Sequence, residues 1–430
     1  MKSYLTAAIA LLLTLFTGCK STDPYASLPR VVVSTDIGGT DPDDNQSMLH
    51  LLMYNDKFDL EGLVSTASYG PGSAEEILRM IDFYEKDFPV LKKAYPLLRT
   101  PDELRAITRQ GCKDTAPWEG YAEPTPGSEL IVDAARRDDA RPLWVLVWGC
   151  LEDVAQALHD APDIAPKLRV YWIGGPNKKW GAAGYSYIAR NFPDLWIIEN
   201  NSSYRGFIGS STDPGHYQTA YYDDCIRGAG AMGEDFINYY KGVVRMGDTP
   251  SVLYMMDGDP EDPEGDSWGG RFEKMSVSSF SNFKAPMTLQ DTIPVYGVLT
   301  LEFEAPAADV PAGKPCFHLT VDRQNWAGYQ VAPGRYQVRY SPKYAGDYSY
   351  TVHSEISALD GQKGNFVASR LWPDPDRCND PVRVGDHWYT DVQDPAMFQG
   401  DVQGYHTVAA PRSAALDDWA ERWAVLKEGR

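Results

Sequence analysis

The sequence predicts an α/β unit built on an open, mostly parallel sheet with helices on both faces, followed by a β-sandwich module of immunoglobulin type and a closing helix. Three observations carry this. Over residues 31–201, buried-looking strands alternate with segments of helical spacing, and each strand ends in Gly or polar residues, the signature of βαβ units. From residue 295 to 352 the pattern switches to short strands of period two, which suits a sandwich. Leu416, Trp419, Trp423 and Leu426 then recur as one apolar helix face.

The elements follow in order. Val31, Val32 and Val33 form an uninterrupted β-branched run, suited to a strand covered on both sides. Four aspartates follow within nine residues, Asp36, Asp41, Asp43 and Asp44, before Ser47, Met48, Leu49 and Leu52 recur at helical spacing. A strand at 60–66 leads to a helix at 74–86, and Pro, Gly and Trp punctuate a long excursion at 101–126. A helix at 128–137 precedes the most apolar strand, 142–148, which turns through Gly149 into a helix at 152–159. Strands at 168–173 and 195–198 end in Gly174-Gly175-Pro176-Asn177 and Glu199-Asn200-Asn201. A helical stretch over 220–245 reaches Gly247-Asp248-Thr249-Pro250, and a loop at 257–270 carries Trp268 next to Gly269-Gly270-Arg271.

Domain boundaries follow from these shifts: 30–285 for the α/β unit, 286–370 for the sandwich, and 371–430 for a segment whose helix packs back on the α/β unit. Residues 1–19 read as a leader, with Lys2, an apolar stretch and Phe16-Thr17-Gly18-Cys19 in the manner of a bacterial lipobox. Cys19 is the expected lipid attachment point and 20–29 a tether, which implies a lipoprotein of the cell envelope, on the outer membrane and facing the periplasm or the surface. Cys112, Cys150, Cys225, Cys316 and Cys378 show no C-x-x-C pair, so isolated thiols are expected, with one or two disulfides left open. The formal charge of −20 argues against a nucleic acid or an anionic membrane surface as partner, leaving the lipid anchor as the membrane contact. With 12 Trp and 26 Tyr in an acidic chain, sugar-stacking surfaces and ordinary aromatic packing are both open.

Carboxylates packed into one turn repel each other and resist desolvation, so the turn at 36–44 calls for a hard cation. It lies where a buried strand hands over to a helix, the edge at which open parallel sheets bind ligands.

Thr35-Asp36-Ile37-Gly38 followed by Asp43-Asp44 resembles the calcium fingerprint of nucleoside hydrolases. It is closer to the nucleoside-hydrolase-like domain of cellulose-binding Sde182-type proteins. Trp148-Gly149-Cys150-Leu151-Glu152-Asp153, Ile173-Gly174-Gly175, Glu199-Asn200-Asn201 and Gly247-Asp248-Thr249-Pro250 follow in the matching order over about residues 30–275. The stretch 288–354 resembles the small DUF5060-like β domain found beside bacterial glycan-degrading enzymes.

The resemblance implies one Ca²⁺ held by Asp36, Asp43, Asp44, Asp248 and the carbonyl of Glu152, with Asp36 as the base for a water that attacks an anomeric carbon. It implies Asn177, Glu199 and Asn201 as hydroxyl-binding residues, and Trp268 and Arg271 are candidates for the same wall. The chain departs from the family at Ser34, at the longer loop Gly39-Thr40-Asp41-Pro42, and at Gly247, where many nucleoside hydrolases keep a histidine beside the leaving base. The expected function is therefore calcium-dependent hydrolysis of a glycosidic bond in a glycan-derived substrate. The alternative is a non-catalytic polysaccharide-binding lipoprotein; a nucleoside hydrolase ranks third. Oligomeric state is left open, a homo-oligomer included.

Overall fold

The computed structural model describes residues 23–209 and 219–429. The leader with Cys19 lies outside the described residues. Half of the expected tether is docked: Tyr25 lies under the Arg99 guanidinium at 4.0 Å and donates to the Leu97 carbonyl at 3.0 Å. Among the described residues no helix is long and apolar enough to cross a membrane, and the five cysteines stand unpaired.

The first sheet is organised around β1 (Arg30–Thr35), whose residues are all buried. Period two sends Val31 and Val33 into one apolar core and Val32 into the other, so both faces are covered. Parallel neighbours follow: β2 (Asp59–Ser65), β3 (Thr108–Gln110), β4 (Leu143–Val147), β5 (Leu168–Ile173) and β6 (Trp196–Asn200), in the order β3-β2-β1-β4-β5-β6. The excursion expected at 101–126 is in part regular. Pro101–Ala106 is a helix with a Thr100 capping box, and β3 pairs with the edge of β2. The helical stretch expected over 220–245 is broken into short pieces, because Gly228, Gly230 and Lys241 take positive φ.

The far edge of this sheet comes from elsewhere in the chain. β7 (Phe272–Lys274) pairs antiparallel with a strand at Trp388–Asp391, and that late strand runs parallel to β6. The sequence pattern held no sign of it.

Between them lies the expected β-rich body of sandwich or barrel-like form. Its eight strands, numbered from β8, are β8 (Phe280–Lys284), β9 (Thr292–Pro294), β10 (Val298–Glu304), β11 (Pro315–Val321), β12 (Gln324–Ala332), β13 (Arg335–Tyr340), β14 (Gly346–Ser354) and β15 (Lys363–Ser369). Leu299, Leu301 and Phe303 of β10 alternate inward, as the period-two reading requires. Their core is continuous with one face of the first sheet through Tyr185, Met275 and Phe280, so the two bodies share apolar packing.

The C-terminal helix Arg412–Glu428 closes the other face. Trp419 and Trp423 are fully buried, with Trp419 against His50 and Phe236. Arg422 donates to the Met53 carbonyl and pairs with Asp56 at 2.7 Å. Truncating Trp419→Ala leaves a large cavity in this seam and is expected to lower stability by about 3–5 kcal/mol, read by denaturant unfolding.

Candidate metal centre and ligand cavity

Two features position the first acids. Thr35, the last residue of β1, turns its hydroxyl back to accept the Ile37 N–H at 3.1 Å and donate to the Asp44 carboxylate. Gly38 then takes φ +87°, where a Cβ would also sit 2.9 Å from Ser73, so the turn after Asp36 requires glycine. Gly149 at the end of β4 is needed as well, because a Cβ there would press on Asp36 and Thr66 at 3.1 and 2.6 Å.

The helix Asp43–Met53 brings in the partner from far downstream. Its Gln46, fully buried, donates to the Val243 carbonyl at 2.9 Å and accepts the Arg245 and Met246 N–H groups at 2.8 and 3.2 Å. Thr249 bonds Ser47 at 3.2 Å. Asp248, between these anchors, stands just before the helix Thr249–Tyr254 with its carboxylate making no capping bond; its carbonyl accepts from Ser251, whose hydroxyl in turn accepts the Trp148 indole N–H at 2.7 Å. The outcome is that Asp43, Asp44 and Asp248 each bring a carboxylate oxygen within 4.8 Å of the other two. Gly247 has a physical reason to lack a side chain: a Cβ there would sit 2.5 Å from the Asp43 carboxylate.

Burial raises the carboxyls of this group. Asp36 rises to about 6, tempered by hydrogen bonds from its neighbours Asp44 and Ser68. Asp43 rises to about 7 through burial, then the charges of Asp41 and Asp36. Asp44 and Asp248 rise well above the usual range for the same reasons, and one buried oxygen of Asp248, Oδ2, has no partner. An all-oxygen donor set with an orphaned buried oxygen fits a hard divalent cation, while the absence of His and Cys from the trio argues against zinc.

The acids open onto a cavity of about 630 Å³, beyond the carboxyl ends of β1, β4 and β5, within the ~300–1,000 Å³ range of small-molecule sites. Its charged lining comprises five aspartates (36, 41, 43, 44 and 248) against Arg205, Arg245 and Lys343, a formal −2 that one divalent cation cancels. Lys343 comes from the β-rich body, together with Gln324 and Tyr344. The loop that leads to Arg205 is fixed by the late strand: buried Asp391 accepts the Asn201 and Ser203 N–H groups at 3.0 and 2.8 Å.

The expected site residues divide sharply. Asp36, Asp43, Asp44 and Asp248 line the cavity, and so does Asn177. Asn177, however, spends its amide on the Trp148 and Ile173 carbonyls at 2.8 and 2.9 Å and accepts from Ser68, so it braces the wall. Glu199 is a correction: fully buried, it pairs with Lys178 at 2.9 Å and accepts from Tyr185, because a strand-end carboxylate denied water turns to the nearest cation. Lys178 is itself caged between the Tyr185 and Trp372 rings at 3.8 and 3.6 Å. Asn201 donates to Glu199 at 3.2 Å behind the same wall, and neither lines the cavity. Glu152 also stays outside the cavity lining. It opens the helix Glu152–Asp160, and its carboxylate accepts the Ala116 N–H at 3.0 Å. Trp268 packs on the core and Arg271 pairs with Asp266 at 3.5 Å, both away from the cavity. Tyr69, Trp180, Tyr204, Arg205 and Lys343 were missed; Tyr69 carried a signal, standing with Gly70 just after β2.

Residues 30–272 match the model of a family described as cellulose-binding Sde182, nucleoside hydrolase-like domain. A nucleoside hydrolase-related hypothetical protein from Saccharophagus degradans, associated with carbohydrate metabolism, is similar in fold: 21% identity, 80% of this chain and 99% of that chain covered, TM-score 0.50. An inosine-uridine preferring nucleoside hydrolase from Bacillus anthracis shares 12% identity over 80% of this chain and 94% of its own, with TM-score 0.39. A purine-preferring ribonucleoside hydrolase from Gardnerella vaginalis shares 14% over 58% and 84%, with TM-score 0.34. No curated protein matches the chain.

Because Asp36 and Asp43 hold their protons to about 6 and 7 in the folded chain, the native state binds more protons than the unfolded one between about pH 4 and 7. Stability without metal is therefore expected to fall as pH rises through that window. Saturating Ca²⁺ is expected to raise the melting temperature strongly at about pH 8 and little at about pH 5, where protons compete for the same oxygens. Calorimetry with EDTA and with Ca²⁺ at both pH values reads this.

Proposed function

The chain belongs to the cellulose-binding Sde182 family with a nucleoside hydrolase-like domain, and on that premise we propose that it is a Ca²⁺-dependent hydrolase of a glycosidic bond in a glycan-derived substrate. The observation that carries the reading is the convergence of Asp43, Asp44 and Asp248 on one point of a ligand-sized cavity, with Asp36 lining the same cavity. Asp36, Asp43, Asp44 and Asp248 would hold the cation, whose preference for six to eight oxygens leaves room for sugar hydroxyls. When bound, the cation supplies a Lewis acid that acidifies water and gathers ring hydroxyls.

The chain's own groups supply the rest. Asp36, half-buried and lining the cavity, offers a carboxylate to take a proton from water, the role of a general base. Tyr344, 58% exposed, lines the same cavity and can offer a ring face to a sugar. The leader motif, with Cys19 as attachment point, supports work at the bacterial cell envelope.

One observation favours a second reading, a non-catalytic glycan-binding protein. Among the described residues no histidine lines the cavity, and Gly247 stands where a base-protonating histidine would be, leaving the leaving group without an evident acid.

Sugar release from a panel of glycosides and nucleosides, with and without EDTA, separates the readings. The hydrolase predicts EDTA-sensitive turnover of a glycoside, with kcat lowered about 10²- to 10⁴-fold in Asp36→Asn. Glycan binding with no turnover in the wild type supports the second reading and contradicts the first. Turnover indifferent to EDTA contradicts the metal assignment.

A further inference from the structure

We infer that the cavity is one end of a longer site, and that a groove between the α/β unit and the β-rich body receives the next ring of a neutral oligosaccharide. The inference rests on the proposed glycan reading and adds a second subsite to it.

The groove holds about 190 Å³, below the ~300–1,000 Å³ of a self-sufficient ligand site, so it suits one ring of a longer molecule. It adjoins the acidic cavity, since Ser68, Tyr69 and Trp180 line both. One wall comes from the α/β unit through Trp118 and Ala183, the other from β12 and β13 through Asn325, Ala327, Tyr329 and Arg339.

Its aromatic floor is held rigid. Trp180 and Trp326 stack across the seam at 5.3 Å and 1°, and the Trp326 indole donates to the Lys179 carbonyl at 3.1 Å. Lys179 bonds Gln324 at 2.7 Å, and the Arg339 guanidinium covers one face of Trp118 at 3.7 Å. Tyr69 leans on Trp180 at 4.7 Å yet stays 55% exposed. Among the described residues the exposed large hydrophobics include two aromatics, Tyr69 and Tyr344 at 58%, and both line the cavity. Exposed aromatic rings gathered at a polar cleft, beside an amide and a guanidinium, are what the apolar faces and hydroxyl edges of a pyranose chain require. Among the described residues no carboxylate lines the groove and Arg339 is its one charged group, which is compatible with a neutral chain.

The test compares Trp118→Ala and Ala327→Phe with the wild type. Neither residue lines the acidic cavity, and Ala327 is exposed, so Phe there fills the groove without disturbing the core. Binding of glucose, cellobiose, cellotetraose and cellohexaose, and of xylose with its matching oligomers, is measured by calorimetry in Ca²⁺ buffer. The inference predicts that wild-type affinity rises about tenfold or more from the monosaccharide to the tetrasaccharide in one series. Both variants are expected to lose that rise and keep monosaccharide affinity. Affinity that is independent of chain length, or a length effect that survives both variants, overturns the second subsite while the glycan reading stands. A wild type that binds none of these sugars at any length overturns both.

Discussion

Like-charge crowding at one end of a parallel sheet governs this structure. Asp36, Asp43, Asp44 and Asp248 cannot all ionise out of water unless something positive joins them, and their raised carboxyls record that conflict. The surrounding chain maintains the crowding instead of relieving it. Gly247 leaves room for the Asp43 carboxylate, Gly149 lets the backbone press against Asp36, and Thr35 holds Asp44. A protein that needed only a capped helix would keep one acid there and solvate the rest.

The scaffold serves the same end from a distance. The helix that carries Asp43 and Asp44 also carries Gln46, whose amide clamps the backbone leading to Asp248. A late strand, Trp388–Asp391, reaches back to extend the sheet, and its Asp391 pins the loop bearing Tyr204 and Arg205. The β-rich body contributes Gln324, Lys343 and Tyr344, so the cavity is complete only when both bodies are packed together. An appended module of this kind is part of the site's wall, which bears directly on what ligand the site accepts.

What could be read from the sequence was what is encoded locally. Val31 to Val33 followed by clustered aspartates places a strand, a turn and a helix from neighbouring residues alone, and Asp248 was found through its resemblance to a family motif. The closing helix was visible in the spacing of Trp419 and Trp423. What failed depended on partners remote in sequence. Glu199 stands at a strand end like a ligand contact, and only folding shows that Lys178 and Tyr185 consume its carboxylate. The strand at Trp388–Asp391 has four residues and gains its conformation from pairing, so no periodicity announces it. Lys343 carried no signal, because its place in the cavity depends on how the two bodies dock.

The central claim is that Asp43, Asp44 and Asp248 hold one divalent cation at the mouth of a glycan cavity. Anomalous diffraction from crystals grown with terbium in place of calcium tests it most directly. The account predicts a single strong peak among those three carboxylates, with Asp36 beside it, and its loss in Asp248→Asn. A cavity with no peak while the ion binds elsewhere, or a peak that persists unchanged in Asp248→Asn, would contradict it.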